Sequence, residues 1–357
     1  MTNTHSSIPP ALSAVILAAG EGSRMRSERP KPLHRLCGRP MLMYVLDSLA
    51  AVDARRAVIV VGHKGDWVTK KVQEHVHDIE LEFVEQQVQR GTGDATLVGL
   101  VGIPEDEDDS DVLVMPGDAP LLRASTIAAL VEHHRSTGAA ATLLTAVMDD
   151  PTGYGRVVRG REGRVVRVTE HRDASPEELE IDEVNTSIYC FRRNLLAPAL
   201  RRIEPDNDQG EYYLTDVIEV LASAGHPVEA MVAEDPAETQ GINDRLQLAA
   251  AEAELRRRTN EALLRSGVTI VDPAAVHVDT TVRVGRDVTL FPGVMLQGST
   301  VVGDRTEVGP NSRLVDTVVG SDCTIDQTTA REARIGDGCR VGPYAALGPG
   351  SEVPSNS

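Results

Sequence analysis

Between residues 278 and 314 an aliphatic side chain returns at every sixth position: Val278, Val284, Leu290, Leu296, Val302, Val308 and Leu314. Gly, Asp, Thr and Pro fill the turns between them, and after an irregular patch the period returns at Ile335, Val341, Leu347 and Val353. Scattered surface hairpins would not hold one phase across seven hexads. Hexapeptide spacing predicts a parallel β-helix, in which each inward aliphatic side chain stacks on its equivalents in neighbouring coils. At three hexads per coil, the stretch from Val276 to Val353 amounts to about four coils. A solenoid that short buries little core by itself, and its flat faces favour side-by-side packing into a homotrimer.

The chain ahead of the repeat alternates β-branched runs with amphipathic helical stretches. Ala14 to Ala19, Ala57 to Val61, Leu81 to Val84, Val112 to Met115 and Ala141 to Val147 read as strands, with helices near Met41 to Ala50 and Ser125 to Arg135. This alternation predicts a Rossmann-like α/β domain over 12–245 on a largely parallel sheet, with ligands gathered at the carboxyl ends of strands. A polar-apolar periodic stretch predicts a connecting helix within 246–268, and the β-helix then occupies 269–354. The acidic run from Glu105 to Asp111 sits between elements and reads as a solvated loop.

The α/β domain opens with Ala14-Val-Ile-Leu17-Ala18-Ala19-Gly20-Glu-Gly22-Ser-Arg24-Met-Arg26, followed by Arg29-Pro30-Lys31-Pro32-Leu33. A buried strand running into a glycine-rich turn and then a basic cluster delivers backbone N–H groups and cations to a polyphosphate. Gly20 and Gly22 admit phosphate close to the backbone, and Arg24 and Lys31 offer charge-assisted hydrogen bonds. The string lacks the Gly-Lys-Ser/Thr of a P-loop and the third glycine of a dinucleotide fingerprint.

Asp118 falls just past a predicted buried strand, in Met115-Pro-Gly-Asp118, and a carboxylate there suits Mg²⁺ bridging phosphates. The amide oxygen of Asn243, in Gly241-Ile-Asn243-Asp244, is a further hard ligand, with Asp244 as an alternative and a helix cap as the plainer role of the pair. Gln86, Gln89 and the bare backbone of Gly91-Thr92 supply the mixed donors and acceptors that a pyrimidine edge requires, although a glutamine-rich loop also serves as ordinary solvated surface. Tyr154, Glu170 and Asn185-Thr186 stand at strand or loop ends, where polar groups can meet sugar hydroxyls.

The chain carries 36 Lys and Arg against 54 Asp and Glu, a net charge of -18. That balance argues against broad binding of nucleic acid or an anionic membrane, so anionic ligands are met locally. Cys37, Cys190, Cys323 and Cys339 have neither Cys-x-x-Cys nor zinc-site spacing, and read as buried thiols of a reducing cytoplasm. The amino-terminal ten residues lack the basic region of an export signal, and no segment reaches the length of about 18 apolar residues that spans a membrane.

Taken together, these segments resemble the bifunctional N-acetylglucosamine-1-phosphate uridyltransferase/glucosamine-1-phosphate acetyltransferase family (GlmU) from Ser13 to Pro354. The match runs through Leu17-Ala-Ala-Gly20-Glu-Gly22-Ser-Arg24-Met, Pro30-Lys31, Gly91-Thr92-Gly93, Gly117-Asp118, Gly153-Tyr154-Gly155-Arg156, Glu170-His171, Asn185-Thr186, Gln209-Gly-Glu211-Tyr-Tyr213-Leu-Thr215-Asp216 and Gly241-Ile-Asn243. The resemblance implies that Asp118 and Asn243 hold magnesium while Arg24 and Lys31 act on the triphosphate. Leu17, Ala18, Ala19, Gly20, Gly22, Gln86, Gln89, Gly91 and Thr92 would bind the nucleotide, and Gly155, Glu170, Asn185 and Thr215 the amino-sugar phosphate. It also implies that the β-helix is left-handed.

The sequence departs from the family pattern at Pro116 before Gly117-Asp118, at Asp94 after Gly91-Thr92-Gly93, and at Ser187 after Asn185-Thr186. Ala346-Leu347-Gly348-Pro349-Gly350 lacks a family arginine, and His277 is the one histidine after the connecting helix. Those features, with the chain's end at Ser357, lead to the expectation that acetyl transfer is absent.

The expectation is therefore Mg²⁺-dependent transfer of UMP from UTP to N-acetylglucosamine 1-phosphate. A different sugar 1-phosphate, or dTTP, is an enzyme alternative. A catalytically silent regulatory or scaffold subunit is the non-enzyme one.

Overall fold

The computed structural model describes residues 10–62, 64–74, 79–104 and 110–357. Residues 1–9, and 105–109 of the acidic run, lie outside the described residues. The chain forms two compact units: one comprises the residues up to His34 and Met41–Asp244, the other Arg35–Pro40 and Arg245–Ser357.

The first unit is a nine-stranded sheet with helices on both faces. Leu12–Ala18 lies between Arg56–Val61 and Asp111–Pro116 and is parallel to both, and Glu80–Glu85 continues the parallel set. Leu12–Ala18, Arg56–Val61 and Asp111–Pro116 are near-continuous apolar runs because both sheet faces are covered, whereas the edge strand Glu80–Glu85 alternates charged and apolar residues and is only partly buried. Ala14 and Ile16 pack into one core with the helices Met41–Ala50 and Ala124–Thr137, while Val15 packs into the other with Thr92–Leu100 and Asp216–Ser223. The sheet is more mixed than its sequence suggests. Glu183–Arg192 runs antiparallel to Asp111–Pro116 and Ala141–Val147, and also pairs antiparallel with Arg156–Arg159.

His134, on Ala124–Thr137, is buried; its Nδ1 lies 2.9 Å from Thr142 Oγ1 and its Nε2 3.7 Å from Asp111 Oδ1. Burial pushes its pKa down to about 4, against the opposing pull of Asp111, with Arg192, Arg135 and His133 acting in the direction of burial. The unfolded chain therefore binds a proton between about pH 6.5 and 4 that the folded chain refuses. The stability this contributes is present above that window and falls as pH drops through it, by up to about 3 kcal/mol. Urea unfolding across this range should show His134→Gln with a flatter pH dependence than the wild type. Parallel curves would show that His134 does not control this loss.

The second unit is a three-faced parallel β-helix, with three sheets of five strands each. This is the arrangement of a left-handed hexapeptide solenoid, and it has five rungs rather than about four. The irregular patch is not a break. Inward side chains continue at Leu314, Val319, Ile325, Ala330 and Ile335, all buried, so three of these four intervals are five residues instead of six. The stack is preserved through pairs such as Leu314 with Ala330 and Val319 with Ile335.

Buried hydroxyls at the corners accept backbone N–H groups from the following coil: Thr300 from Thr317 (3.2 Å), Thr306 from Cys323 (3.1 Å) and Ser312 from Thr328 (3.1 Å). The polar turn residues of the repeat thus satisfy donors that the core would otherwise strand. The helix Arg245–Arg265 and the short hairpin Arg35–Pro40 belong to this unit, where Glu252 Oε2 accepts the Cys37 N–H at 2.8 Å. Burial, with Glu252 and Asp279 nearby, pushes the Cys37 thiol up to about 12. All four cysteines are buried and outside any disulfide. Among the described residues, no helix is long and apolar enough to cross a membrane.

Candidate functional site

At the carboxyl ends of the parallel strands the first unit opens into a cleft of about 350 Å³. The parallel register brings Leu12–Ala18 and Asp111–Pro116 to the same edge, and Gly117 N–H donates to Leu17 O at 2.9 Å. The glycine-rich turn and the Gly117-Asp118 turn therefore open side by side. Gly22 is left-handed (φ 65°), and a Cβ there would fall 2.8 Å from Lys31 Cβ. Only glycine satisfies both the backbone and the approach of Lys31.

Lys31 begins a short 3₁₀ turn anchored by buried Leu33, and its Nζ pairs with Asp118 Oδ2. The same nitrogen donates to Asn243 Oδ1 at 2.9 Å, and Arg24 Nη2 reaches that oxygen at 2.9 Å. Two cationic side chains thus converge on one carboxylate and one amide oxygen. The Lys31 and Asp118 side chains are largely shielded, 15% and 18% exposed, whereas Arg24 is exposed.

Leu17, Ala18, Ala19, Gly20, Gln86 and Gln89 contribute to the cleft wall, as do Gly91, Thr92, Lys31 and Asp118. Gly91 holds φ 108°, and a Cβ there would lie 2.5 Å from Tyr212 O. The tight approach locks the Gly91-Thr92 turn against 211–214, where Thr92 Oγ1 accepts Leu214 N–H at 3.0 Å. Gln89 Nε2 donates to Ala19 O. Gln86 is buried, and its amide donates to Asp94 Oδ2 at 2.7 Å and to Gly91 O at 3.3 Å. Asp94, a departure in the sequence, thus fixes the orientation of that glutamine.

Residues 14–216 match the MobA-like NTP transferase domain. The bifunctional protein GlmU of Pelotomaculum thermopropionicum is 48% identical over 348 residues, 97% of this chain and 74% of that protein. The GlmU proteins of Carboxydothermus hydrogenoformans and Listeria monocytogenes are each 42% identical over 96% of this chain and over 75% and 74% of theirs. The chain belongs to the GlmU family. It is a nucleotidyltransferase.

In this GlmU-family chain, Gly155, Glu170, Asn185 and Thr215 form a group of their own, outside the wall of the cleft. Thr215 Oγ1 donates to Glu170 Oε1 at 3.1 Å, a Cβ on Gly155 would lie 3.5 Å from Glu170 Oε2, and Asn185 N–H donates to Gly155 O at 2.9 Å. Burial pushes the Glu170 pKa up, opposed by the Thr215 hydroxyl. Asn185 is buried, and Ser187 stands in the cleft wall instead. Gly22, Arg24 and Asn243 also lie outside that wall, although Asn243 Oδ1 accepts from Lys31 in the wall and Arg24 joins them through the same oxygen.

Pro116 and Ser187, departures expected to line or adjoin the sugar pocket, line the cleft, as does Glu211, which was not singled out as a site residue. For Glu211 the available signal was its place in the Gln209-Gly-Glu211-Tyr string. For the other two it was their departure from the family pattern.

Proposed function

We propose that this GlmU-family chain transfers UMP from UTP to N-acetylglucosamine 1-phosphate, giving UDP-N-acetylglucosamine and pyrophosphate, with Mg²⁺ as cofactor. The observation that carries the reading is the convergence of Lys31, Asp118 and Asn243 at a cleft that also carries the glutamine and Gly91-Thr92 wall. Asp118 Oδ2 and Asn243 Oδ1 share one nitrogen, Lys31 Nζ, and so meet around one cation-sized position. Two hard oxygens fit Mg²⁺, which keeps waters and takes its remaining ligands from phosphate. When bound, the ion supplies charge neutralisation to the phosphates.

The chain's own groups account for the rest. The glycine-rich turn brings backbone to the triphosphate, and Arg24 and Lys31 offset charge as pyrophosphate departs. An oxygen of the sugar phosphate forms the new bond to the α-phosphorus while the bond to the pyrophosphate oxygen breaks. Positioning and electrostatics suffice for this displacement, and no protein nucleophile enters it. Gln86, Gln89, Gly91 and Thr92 are assigned to the uracil, and Gly155, Glu170, Asn185 and Thr215 to the amino-sugar phosphate. A silent scaffold has no use for two cations facing a metal-competent carboxylate. Pro116 and Ser187 in the cleft wall favour another sugar 1-phosphate as the second reading.

Coupled pyrophosphate release over a panel of UTP, dTTP, CTP and ATP against several sugar 1-phosphates tests the assignment. The highest kcat/KM is expected for UTP with N-acetylglucosamine 1-phosphate, and an equal value for dTTP or a hexose 1-phosphate would move the assignment to that substrate. Acetyl transfer is no part of the proposal. The buried thiols support a cytoplasmic setting.

We also propose assembly into a homotrimer through the solenoid, on whose outer surface Val271, Val318 and Tyr344 are exposed. Light scattering at micromolar concentration should give three times the 38.4 kDa chain mass. A monomeric mass would refute the assembly.

A further inference from the structure

Within Val184–Phe191 every residue is buried except Ser187. The strand bulges here: its register against Ala141–Val147 jumps from Asn185 opposite Thr145 to Ile188 opposite Leu144. The bulge turns Ser187 into the cleft wall with a left-handed backbone, φ 62°. Glycine adopts that conformation without steric cost, whereas a residue with a Cβ is strained in it. A bend alone therefore requires no serine.

The hydroxyl stands on a rigid base. Tyr189, buried and stacked on Phe191 with ring centroids 5.4 Å apart, accepts a hydrogen bond from Asn185 Nδ2 at 2.7 Å. Asn185 Oδ1 in turn accepts the Ser187 N–H at 3.3 Å. The Ser187 hydroxyl offers a ligand one donor and two acceptor positions. The ladder with Asp111–Pro116 runs from Arg192 to Tyr189, which lies opposite Val114, and stops before the bulge. Pro116 also lines the cleft.

We propose that Ser187 is a specificity-determining residue for the acceptor: its hydroxyl, presented by the bulge between Asn185 and Ile188, hydrogen-bonds a polar substituent of the sugar 1-phosphate. This rests on the uridylyl-transfer reading of the same cleft. The strained backbone is then the condition for placing a hydroxyl where a strand would otherwise present none.

The test compares Ser187→Gly and Ser187→Ala with the wild type for KM of each substrate, for the ranking of N-acetylglucosamine, N-acetylgalactosamine and glucose 1-phosphates, and for Tm. Both variants should raise the acceptor KM roughly tenfold, the worth of one hydrogen bond to a ligand, and leave the UTP KM within about twofold. Both should compress the sugar ranking. Ser187→Gly should raise Tm, because it removes the strain, whereas Ser187→Ala keeps the Cβ and should not. An unchanged acceptor KM with an unchanged ranking would overturn the proposal, whatever happens to Tm. So would a change confined to UTP. The same comparison is made with whichever nucleotide and sugar phosphate the wild type uses best, so reassigning the substrates would refute the uridylyl-transfer reading while Ser187 still stands or falls on the acceptor ratio.

Discussion

Asp118→Ala is expected to lower kcat about a thousandfold in Mg²⁺ while leaving the fold in place. The carboxylate contributes the one formal negative charge in the cluster of Lys31, Asn243 and Arg24, and a metal held there is worth several kcal/mol of transition-state charge. The fold should survive because the Asp118 backbone, not its side chain, makes the structural contact: its carbonyl accepts Ile242 N–H at 2.9 Å. Asp118→Asn separates charge from shape and should be nearly as inactive as the alanine variant. Normal turnover by either variant, with an unchanged dependence on Mg²⁺ concentration, would remove Asp118 from the metal site.

Lys31→Met should lower kcat about a hundredfold and raise the UTP KM by much less. An ammonium aimed at charge that grows on the departing pyrophosphate stabilises the transition state more than the ground state. Methionine keeps the stem that packs beside Gly22 and removes only the charge. Arg24→Met should act in the same direction but more weakly, because Arg24 is exposed and reaches the site through Asn243 Oδ1. A change confined to KM would make Lys31 an anchor for nucleotide rather than a participant in transfer.

Much of the architecture was legible in the sequence because two strong periodicities carry it. The central parallel strands Leu12–Ala18, Arg56–Val61 and Asp111–Pro116 are buried on both faces and so appear as near-continuous apolar runs, and the hexads hold their phase from Val278 to Leu314. Strand direction was not legible at Glu183–Arg192, because a doubly buried run has the same pattern in either direction. The continuity of the solenoid through 314–335 was hidden by three shortened corners and by alanine at position 330, although the inward stack never breaks.

At the site, the glycine-rich turn and Gly117-Asp118 were readable because their positions after strands place them at one sheet edge. The exchange of Asn185 for Ser187 in the cleft wall was not. Strict alternation would put both on one face, and only the bulge buries one while exposing the other. The pairing of Gln86 with Asp94 was equally hidden, since it links a strand end to the first turn of a helix.

The central claim is nucleotidyl transfer at the cleft that Lys31, Asp118 and Asn243 share. ³¹P nuclear magnetic resonance of the wild-type protein with UTP, N-acetylglucosamine 1-phosphate and Mg²⁺ tests it most directly. Both substrates should disappear together as a diphosphodiester and pyrophosphate appear in equal amounts, and omitting either substrate or the metal should stop both signals. Orthophosphate in place of pyrophosphate, or pyrophosphate released without the sugar phosphate, would contradict it.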